Sequence, residues 1–315
     1  MNKKILGIVA AAAVVLVGGA FLLKGGNNNN APAEDITKSV EITHTLGTTV
    51  INETPKNVVV LDLGALDVLD KMDANIVGVP TGLPDYLGKY ASDEYATVGS
   101  VKEPDLEAIN ELNPDLIVMS GRMSDFYEDF SEIAPTLYVA SESGDYLGSF
   151  ESTVENYGKI FDKEEMAAEM IAEVKEKAEE VNAKVKEVNE NALLLMVNGR
   201  GISSFGKDSR FSLLFNEAGF AQADTELVDS THGQEVTFEY VLENNPGYIF
   251  VVDRNSITGA SDISAESVIV NELTKQTDAY KNNNIVYLDS VNWYTVSGGY
   301  TSTLSMLDEI LTAVK

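Results

Sequence analysis

The sequence contains no cysteine in its 315 residues. This absence excludes disulfide bonds, thiolate metal ligands and a cysteine nucleophile, and it leaves no thiol for the lipid anchor of a lipoprotein. Histidine is almost as rare, because only His44 and His232 are present, so a bare zinc or manganese site with several imidazole ligands is not expected. No GxSxG motif and no Ser–His–Asp arrangement points to an enzyme.

Positive charge is also scarce. The chain carries 50 acidic residues against 22 lysines and arginines, which gives a formal net charge of −28. Nucleic-acid binding is disfavoured, because a surface that follows phosphates needs clustered basic residues. Arginine occurs at only four positions, which are Arg122, Arg200, Arg210 and Arg254. A chain that takes most of its positive charge from lysine is expected to keep arginine where a planar guanidinium is needed.

A long apolar run extends from Ile5 to Leu23, directly after the basic pair Lys3 and Lys4. This arrangement predicts a secretory signal or a membrane anchor, with the lysines left on the cytoplasmic side. The run is near the shortest that spans a bilayer, which leaves an uncleaved anchor and cleavage near Gly18 both open. In either case we expect the rest of the chain on the extracytoplasmic face of the cell membrane.

An internal repeat organises the exported part. Residues 107–122 and 239–254 share one pattern at a constant offset, since 239 − 107 and 254 − 122 both equal 132. Each copy starts with a glutamate in a predicted helix, continues through a proline into a short apolar strand, and ends with an arginine. The repeat predicts two similar α/β units, each of which presents one arginine at the end of a strand.

Strand and helix patterns alternate around the repeat. Apolar strands are predicted at 58–61, 76–79, 116–119, 136–139, 192–197 and 285–288, after a hairpin at 40–51. The segment 147–190 instead repeats apolar side chains at helical spacing, which predicts long helices that join or brace the two units. We therefore expect an α/β fold of two Rossmann-like lobes with parallel sheets, joined by a long helix, with a ligand cleft between the lobes. The implied segments are 1–24 (signal or anchor), 25–39 (flexible linker), 40–146 (amino-terminal lobe), 147–190 (connecting helices) and 191–315 (carboxy-terminal lobe).

Three of the four arginines are placed to meet a ligand. Arg122 and Arg254 end predicted strands, and ligands of open α/β sheets bind beyond the carboxyl ends of the strands. Arg210 follows a glycine-rich loop and precedes a predicted helix at 211–218, whose amino terminus would also favour an anion. Three guanidinium groups in one cleft would suit a polyanion. The alternative for any one arginine is an ordinary ion pair with one of the many acidic side chains.

Five short motifs give the sequence a family resemblance. They are S-G-R at 120–122, G-K-D-S-R-F at 206–211, T-H-G at 231–233, V-V-D-R-N at 251–255 and W-Y at 293–294. Together they resemble the ferric-siderophore-binding proteins of ABC importers, the helical-backbone class in which a long helix joins two α/β lobes, and in particular its catecholate- and petrobactin-binding subgroup. The resemblance extends over residues 40–315.

The resemblance implies roles for the site residues. In that family three arginines line the cleft and contact the anionic iron–catecholate centre, and the matching positions are Arg122, Arg210 and Arg254. A histidine and a tyrosine complete the iron shell when the siderophore is tetradentate, so His232 and Tyr294 are implied metal ligands in that case only. The resemblance implies no permanently bound cofactor, because the Fe(III)–siderophore complex is the transported ligand.

Other residues receive implied or open roles. Glu107 and Glu239 match the glutamates that dock related proteins onto the ABC permease, although both are also first-turn glutamates of the kind that a helix dipole favours. The ring of Trp293 is expected to pack on the catechols together with nearby tyrosines. Arg200 matches no motif, and it either widens the choice of ligand or faces solvent.

These features predict a binding protein and not an enzyme. We expect it to capture a ferric catecholate siderophore and to deliver it to an ABC permease for iron uptake. We expect a monomer that the amino-terminal segment holds at the membrane or that cleavage releases. The alternatives in the same class are another anionic iron chelate, haem or a corrinoid as the ligand.

Overall fold

The structure, a computed structural model, describes residues 39–139, 141–227, 230, 232–259 and 261–314. The predicted signal or anchor segment at 1–24 lies outside the described residues, as does all of the predicted linker except its last residue. No helix in the described part of the chain combines the length and the apolar character that a membrane span requires.

A two-stranded hairpin opens the described chain. Strands β1 (Val40–His44) and β2 (Gly47–Ile51) pair antiparallel, which confirms the hairpin predicted at 40–51. The hydroxyl of Thr49 donates to the Thr136 carbonyl at 2.5 Å, so the hairpin is fastened to the edge of the first lobe.

Five parallel strands form the sheet of the amino-terminal lobe. They are β3 (Val58–Val60), β4 (Ile76–Val79), β5 (Ala96–Thr97), β6 (Leu116–Ser120) and β7 (Thr136–Val139), in the spatial order β5–β4–β3–β6–β7. Helices α1 (Leu63–Lys71), α2 (Leu106–Glu111) and α3 (Tyr127–Ile133) connect them. The central strands β3 and β6 are buried along almost their whole length, as expected where helices cover both faces of a parallel sheet.

Two helices occupy the segment that joins the lobes. Helix α4 (Tyr146–Phe161) and helix α5 (Glu164–Val188) confirm the long helices predicted at 147–190. Met170, Val174, Val181 and Val185 form part of the buried stripe of α5, at the spacing of an amphipathic helix. These helices therefore pack on the globular body through one apolar face.

The sheet of the carboxy-terminal lobe is mixed. Its strands are β8 (Asn191–Asn198), β9 (Gly201–Phe205), β10 (Ala221–Gln222), β11 (Gln234–Val236), β12 (Tyr248–Asp253) and β13 (Ile285–Tyr287). The helices of this part of the chain are α6 (Phe238–Asn244), α7 (Arg254–Thr258), α8 (Ala265–Ile269), α9 (Asp278–Lys281) and α10 (Tyr300–Ala313). Strands β8, β12 and β13 run parallel, as predicted, and the short β10, which was not predicted, also runs parallel to β8. Strand β9 is antiparallel to both β8 and β11.

The antiparallel strand arises from a tight turn that the sequence pattern did not reveal. Gly199 and Arg200 connect β8 directly to β9, and Gly199 has a φ of 61°, a conformation that glycine adopts without strain. Ile202 and Phe205 are buried on β9. Part of the segment expected to be a glycine-rich loop therefore forms a strand that lies between β8 and β11 in the sheet.

The predicted helix at 211–218 is wrong. Only a short 3-10 turn, Ser212–Leu214, is present there. The hydroxyl of Ser209 donates to the Gly206 carbonyl at 2.6 Å and accepts the main-chain N–H of Phe211 at 3.1 Å, so local side-chain bonds replace the helical pattern. The expected helix amino terminus beside Arg210 is absent from the described chain.

The two copies of the repeat fold alike. In the first copy α2 leads into β6, and in the second α6 leads into β12. Asp105 caps α2 and Thr237 caps α6, each through a side-chain oxygen that accepts a main-chain N–H of the first turn. Asn113 and Asn245 follow these helices with φ values of 46° and 39°. The two similar α/β units predicted from the repeat are therefore present.

The last helix, α10, packs against helices that precede the second lobe in the chain. Asp67 of α1 is buried, and its Oδ2 accepts the main-chain N–H of Ser302 at the start of α10 at 2.9 Å. The hydroxyl groups of Tyr146 and Thr303 lie 2.8 Å apart. Burial raises the pKa of Asp67, and the bonds from α10 oppose that change only in part. Helix α10 thus packs against α1 and α4, although the sequence pattern groups it with the carboxy-terminal lobe.

Candidate ligand-binding site

Arg122 is the arginine that the amino-terminal lobe contributes to the site. It lies just beyond the carboxyl end of β6, in a short 3-10 turn, and its side chain is partly buried. Its Nη2 donates to the main-chain carbonyl of Tyr294 at 2.9 Å. Its Nη1 is 4.0 Å from Oδ2 of Asp62, which follows the neighbouring strand β3. A guanidinium of the first lobe therefore contacts the segment that follows the last strand of the second lobe.

Arg254 occupies the matching position of the carboxy-terminal lobe. It is the first residue of α7, directly after β12. Its Nε donates to the hydroxyl of Tyr294 at 3.3 Å, and its Nη1 donates to Oδ1 of Asn198 at 2.9 Å. Asn198 ends β8, the strand beside β12. Each arginine of the repeat thus contacts Tyr294 and one side chain from the end of a neighbouring strand.

Arg210 approaches Tyr294 from the loop after β9. Its Nη2 donates to the same Tyr294 carbonyl at 2.8 Å, and its guanidinium carbon lies 4.7 Å from the centre of the Tyr294 ring. Its Nε is buried without a hydrogen-bond partner among the described residues. Burial, together with the nearby charge of Arg122, lowers the pKa of Arg210 to about 10. A bound anion would relieve both effects.

Tyr294 is the common centre of these contacts. It lies in a single π-helical turn, Val291–Thr295, a rare local structure that is frequent at functional sites. Burial alone would raise the pKa of its phenol. The hydrogen bond from Arg254 and the positive charges of Arg254, Arg210 and Arg122 outweigh this effect, so the pKa of Tyr294 is lowered. We refer to Arg122, Arg210 and Arg254, grouped around Tyr294, as the arginine cluster.

The arginine cluster has an excess of positive charge in an acidic protein. Within the ranges that the structure describes, Asp62 is the only carboxylate within 4.0 Å of any of its three guanidinium groups. Arg210 and Arg254 have no ion pair there, even though the chain carries 50 acidic residues. Among the described residues, the ordinary ion pair considered as the alternative for each arginine is therefore found only at Arg122. An electropositive, partly desolvated group of this kind can bind and orient an anionic ligand.

The role predicted for Trp293 is wrong, because its side chain does not line the site. Its side chain is 0% exposed, and its Nε1 donates to Oε2 of Glu309 at 2.7 Å. Neighbouring residues of a helical turn point in different directions, so the turn that presents Tyr294 to the arginines directs Trp293 into the core. The predicted packing of this ring on a catechol is therefore incompatible with the structure.

His232 is not brought into the arginine cluster. It is exposed in the loop before β11, and it has no hydrogen bond, ion pair or ring contact with other residues that the structure describes. Arg200 is likewise exposed, in the turn between β8 and β9, and makes no such contact within those ranges. Iron binding by His232 and a ligand-binding role of Arg200 therefore stay predictions.

Glu107 and Glu239 lie at matching positions of the two lobes. Both are exposed residues of the first turn, in α2 and α6 respectively. Hydrogen bonds from its own main-chain N–H and from the side chain of Thr237 lower the pKa of Glu239. Both carboxylates are therefore available to an external partner, and their role in docking remains a prediction.

Two residues of the site were not indicated by the motifs. Asp62 and Asn198 contact Arg122 and Arg254 because each lies at the carboxyl end of the strand next to the one that precedes the arginine. The rule that ligands bind at the carboxyl ends of parallel strands could have identified both. No group of three or more histidine, aspartate or glutamate side chains suited to a metal occurs in the described ranges.

A cavity of about 420 Å³ lies elsewhere, at the carboxyl end of α5. Its lining includes Asn189, Asn191, Asn245 and Asp278. These side chains serve the fold, because Asn189 and Asn245 end helices in the left-handed conformation and Asn191 accepts the main-chain N–H of Gly247. The arginine cluster, and not this cavity, is therefore the candidate ligand site.

The fold has two α/β lobes joined by long helices, and cations from both lobes are grouped around one tyrosine. These features are typical of a two-lobed binding protein. The chain belongs to the periplasmic binding protein family, whose sequence model matches residues 58–291.

Similar proteins of known character support this assignment. The petrobactin-binding protein of Bacillus subtilis is 42% identical over 265 residues, which cover 83% of this chain and 83% of that protein. Its crystal structure gives a TM-score of 0.85 at 40% identity and covers 88% of this chain and 99% of that one. The periplasmic catecholate-siderophore-binding protein of Vibrio cholerae gives a TM-score of 0.82 at 36% identity, over 87% and 100% of the two chains.

A further relative is the ferric-anguibactin-binding protein of Vibrio anguillarum, which is 32% identical over 278 residues, 86% of each chain. Together these similarities confirm the predicted family and the two-lobed α/β fold. They also confirm that the chain is a binding protein and not an enzyme.

Proposed function

We propose that this protein captures a ferric siderophore of the catecholate type and delivers it to the permease of an ABC importer for iron uptake. The observation that carries the proposal is the arginine cluster, in which three guanidinium groups from both lobes have a single carboxylate of the described residues, Asp62, within 4.0 Å. The names of the relatives support this ligand class, because they include petrobactin- and catecholate-siderophore-binding proteins.

Charge is the basis of the proposed selectivity. A ferric tris-catecholate is a trianion and a ferric bis-catecholate is a monoanion, whereas a ferric tris-hydroxamate is neutral. Each charge-assisted hydrogen bond from an arginine contributes on the order of 1.5–3 kcal/mol. Three arginines therefore favour the catecholate complexes, and a neutral hydroxamate would leave their desolvated charges without a counter-charge.

Tyr294 and His232 are the proposed iron ligands for a siderophore that offers only two catecholates. A phenolate oxygen and an imidazole nitrogen are suitable ligands for the open positions of such an iron centre. The lowered pKa of Tyr294 supports its part, because it favours the phenolate that would bind iron. His232 is exposed in a loop, so its part requires that loop to approach the arginine cluster when the ligand is present.

Delivery and location are part of the same proposal. Glu107 and Glu239, exposed and related by the repeat, would dock a monomeric protein onto the permease, one from each lobe. The apolar run from Ile5 to Leu23 would direct export and either anchor the protein at the membrane or be removed. The permease would then receive the ligand on the extracytoplasmic side.

A titration panel tests the proposal. The purified exported part would be titrated with ferric complexes of a tris-catecholate, a bis-catecholate, a mixed catecholate–citrate and a tris-hydroxamate. We expect the anionic complexes to bind at least tenfold more tightly than the hydroxamate, a difference of about 1.4 kcal/mol. Equal affinity for the neutral complex, or no binding of any catecholate at micromolar concentration, would contradict the proposal.

A further inference from the structure

Glu309 makes two hydrogen bonds to the segment that carries Tyr294. It lies on α10, and its Oε1 accepts the main-chain N–H of Asp289 at 2.8 Å. Its Oε2 accepts the indole N–H of Trp293 at 2.7 Å. One carboxylate therefore holds the segment two residues before the π-helical turn and again within the turn.

The turn depends on both of these attachment points. Asp289 caps its start, because its Oδ1 accepts the main-chain N–H groups of Val291 at 2.9 Å and Asn292 at 3.3 Å. The main-chain N–H of Trp293 then bonds to the Asp289 carbonyl at 3.0 Å. Tyr294 is the next residue, so the position of the indole and of Asp289 sets the direction of the Tyr294 side chain and carbonyl.

We propose that Glu309 is a positioning residue for the siderophore site, which holds the π-helical turn so that the hydroxyl and the carbonyl of Tyr294 face the three arginines. This inference rests on the proposed function. It assigns a role to a carboxylate that does not itself contact the arginine cluster, and it explains why a fully buried tryptophan directly precedes the tyrosine at the site.

Packing alone does not account for an acidic residue at this position. Burial raises the pKa of Glu309, and the bonds from Asp289 and Trp293 offset that effect only in part. An apolar side chain would avoid the cost of partly burying a carboxylate. It would also leave the indole N–H of Trp293 without an acceptor, and the orientation of the turn would no longer be fixed by a directional bond.

The test compares Glu309→Ala and Glu309→Gln with Asp308→Asn. Asp308 is the adjacent residue on α10, and it bonds to Lys177 at 3.0 Å instead of to the turn, so it serves as the matched control. Glutamine keeps one acceptor oxygen and similar volume, so that variant keeps the test informative if the alanine variant folds poorly. Two readouts are used, one without ligand and one with it.

The first readout is the ionisation of Tyr294 in the ligand-free protein, followed by ultraviolet absorbance against a Tyr294→Phe variant of the same background. We expect Glu309→Ala, and to a smaller extent Glu309→Gln, to raise the pKa of Tyr294, because the phenol loses its fixed position beside the arginines. Asp308→Asn should leave it unchanged. An unchanged Tyr294 pKa in both Glu309 variants would overturn the inference.

The second readout is the ratio of the dissociation constants for a ferric bis-catecholate and a ferric tris-catecholate. We expect Glu309→Ala to weaken the bis-catecholate at least fivefold more than the tris-catecholate, which fills the iron shell without Tyr294. An equal loss for both ligands would indicate a general structural role and overturn the inference. If the unmodified protein binds neither ligand, the proposed function fails, while the ligand-free readout still tests the role of Glu309.

Discussion

The two lobes present their arginines in the same way but pair them with different neighbours. Arg122 follows β6 and has the carboxylate of Asp62 at 4.0 Å, whereas Arg254 follows β12 and has the neutral amide of Asn198 at 2.9 Å. In both lobes the neighbour comes from the end of the adjacent central strand. The repeated backbone therefore places the arginine, and one side chain from the next strand decides how much of its charge remains for a ligand.

This difference means that the positive charge of the site is unevenly divided. Asp62 partly compensates Arg122, while Arg254 has no carboxylate within 4.0 Å among the residues of the described ranges. Asp62 also has a structural task, because its Oδ1 caps α1 by accepting the main-chain N–H of Ala65 at 2.9 Å. The amino-terminal lobe thus uses one carboxylate for two purposes, whereas no carboxylate of the described ranges plays the corresponding part for Arg254.

The largest effect on affinity is expected from Arg254→Ala. This change removes the arginine that the repeat places in the second lobe, which has a neutral amide partner, Asn198, and no carboxylate within 4.0 Å among the described residues. We expect the dissociation constant of a ferric catecholate to rise at least tenfold, since one charge-assisted bond is worth about 1.5–3 kcal/mol and about 1.4 kcal/mol equals one decade. Ligand titration monitored by absorbance or fluorescence measures the change.

Arg200→Ala is the control for that experiment. Arg200 carries the same charge but is exposed in the turn between β8 and β9, without contact to the arginine cluster within the described ranges. Its loss should change the affinity by less than about twofold, because surface charges contribute little. Similar affinity losses for the two variants would show that net charge, and not the cluster, governs binding.

An exchange of the neighbours tests the comparison between the lobes directly. Asn198→Asp would give Arg254 a carboxylate partner and should weaken binding of an anionic siderophore by up to about fivefold, since exposed ion pairs are worth roughly 0.2–1 kcal/mol. Asp62→Asn should strengthen binding by a similar factor, and asparagine still caps α1. Titrations at low and high salt would measure both. A change of affinity in the same direction for both variants would contradict the inference that the neighbouring side chain decides how much arginine charge remains for the ligand.

The ionisation of Tyr294 provides a finer comparison of the two arginines. Arg254 both donates a hydrogen bond to the phenol and acts on it by charge, while Arg122 acts by charge alone. The pKa of Tyr294 should therefore rise more in Arg254→Ala than in Arg122→Ala. Since the lowered pKa favours the phenolate, Tyr294 should ionise at lower pH than an ordinary tyrosine in the unmodified protein. A difference absorbance titration against Tyr294→Phe reports this order, and the reverse order would contradict it.

The smallest effect on affinity is expected at the glutamates of the repeat. Glu107→Gln and Glu239→Gln change exposed residues of α2 and α6, on helices that precede the strands carrying the arginines. The dissociation constant of the ferric siderophore should stay within about twofold, as for other surface changes. Uptake of labelled iron by cells should nevertheless fall for each variant. Normal uptake in the double variant would remove these residues from the proposed docking surface.

Much of the fold follows from local pattern. The offset of 132 residues identifies both copies of the repeat, and the capped helices, left-handed asparagines and apolar strands of the two copies correspond one to one. The apolar spacing in 147–190 identifies α4 and α5 because an amphipathic helix must bury one face. The mixed sheet was not predicted, because a two-residue turn at Gly199 leaves little trace in periodicity.

The site was predictable only in part. Arg122 and Arg254 follow from the rule about strand ends, and Arg210 and Tyr294 from family motifs. The prediction for Trp293 was wrong, because the sequence does not show which of two adjacent aromatic side chains faces the ligand site. The π-helical turn directs Trp293 into the core and Tyr294 toward the arginines. Glu309 was not identified at all, because its partners are 16 and 20 residues away in the chain.

The sequence by itself determined the class of the protein: two related α/β lobes, long helices between them, and arginines at the ends of corresponding strands. These features depend on short-range periodicity and on a repeat, which are written in neighbouring residues. Only the tertiary structure decided which charges remain without a partner and which aromatic ring meets the arginines. Those properties depend on distances between segments far apart in the chain, because electrostatic and hydrogen-bond energies are set by separation and burial in space and not by order along the chain.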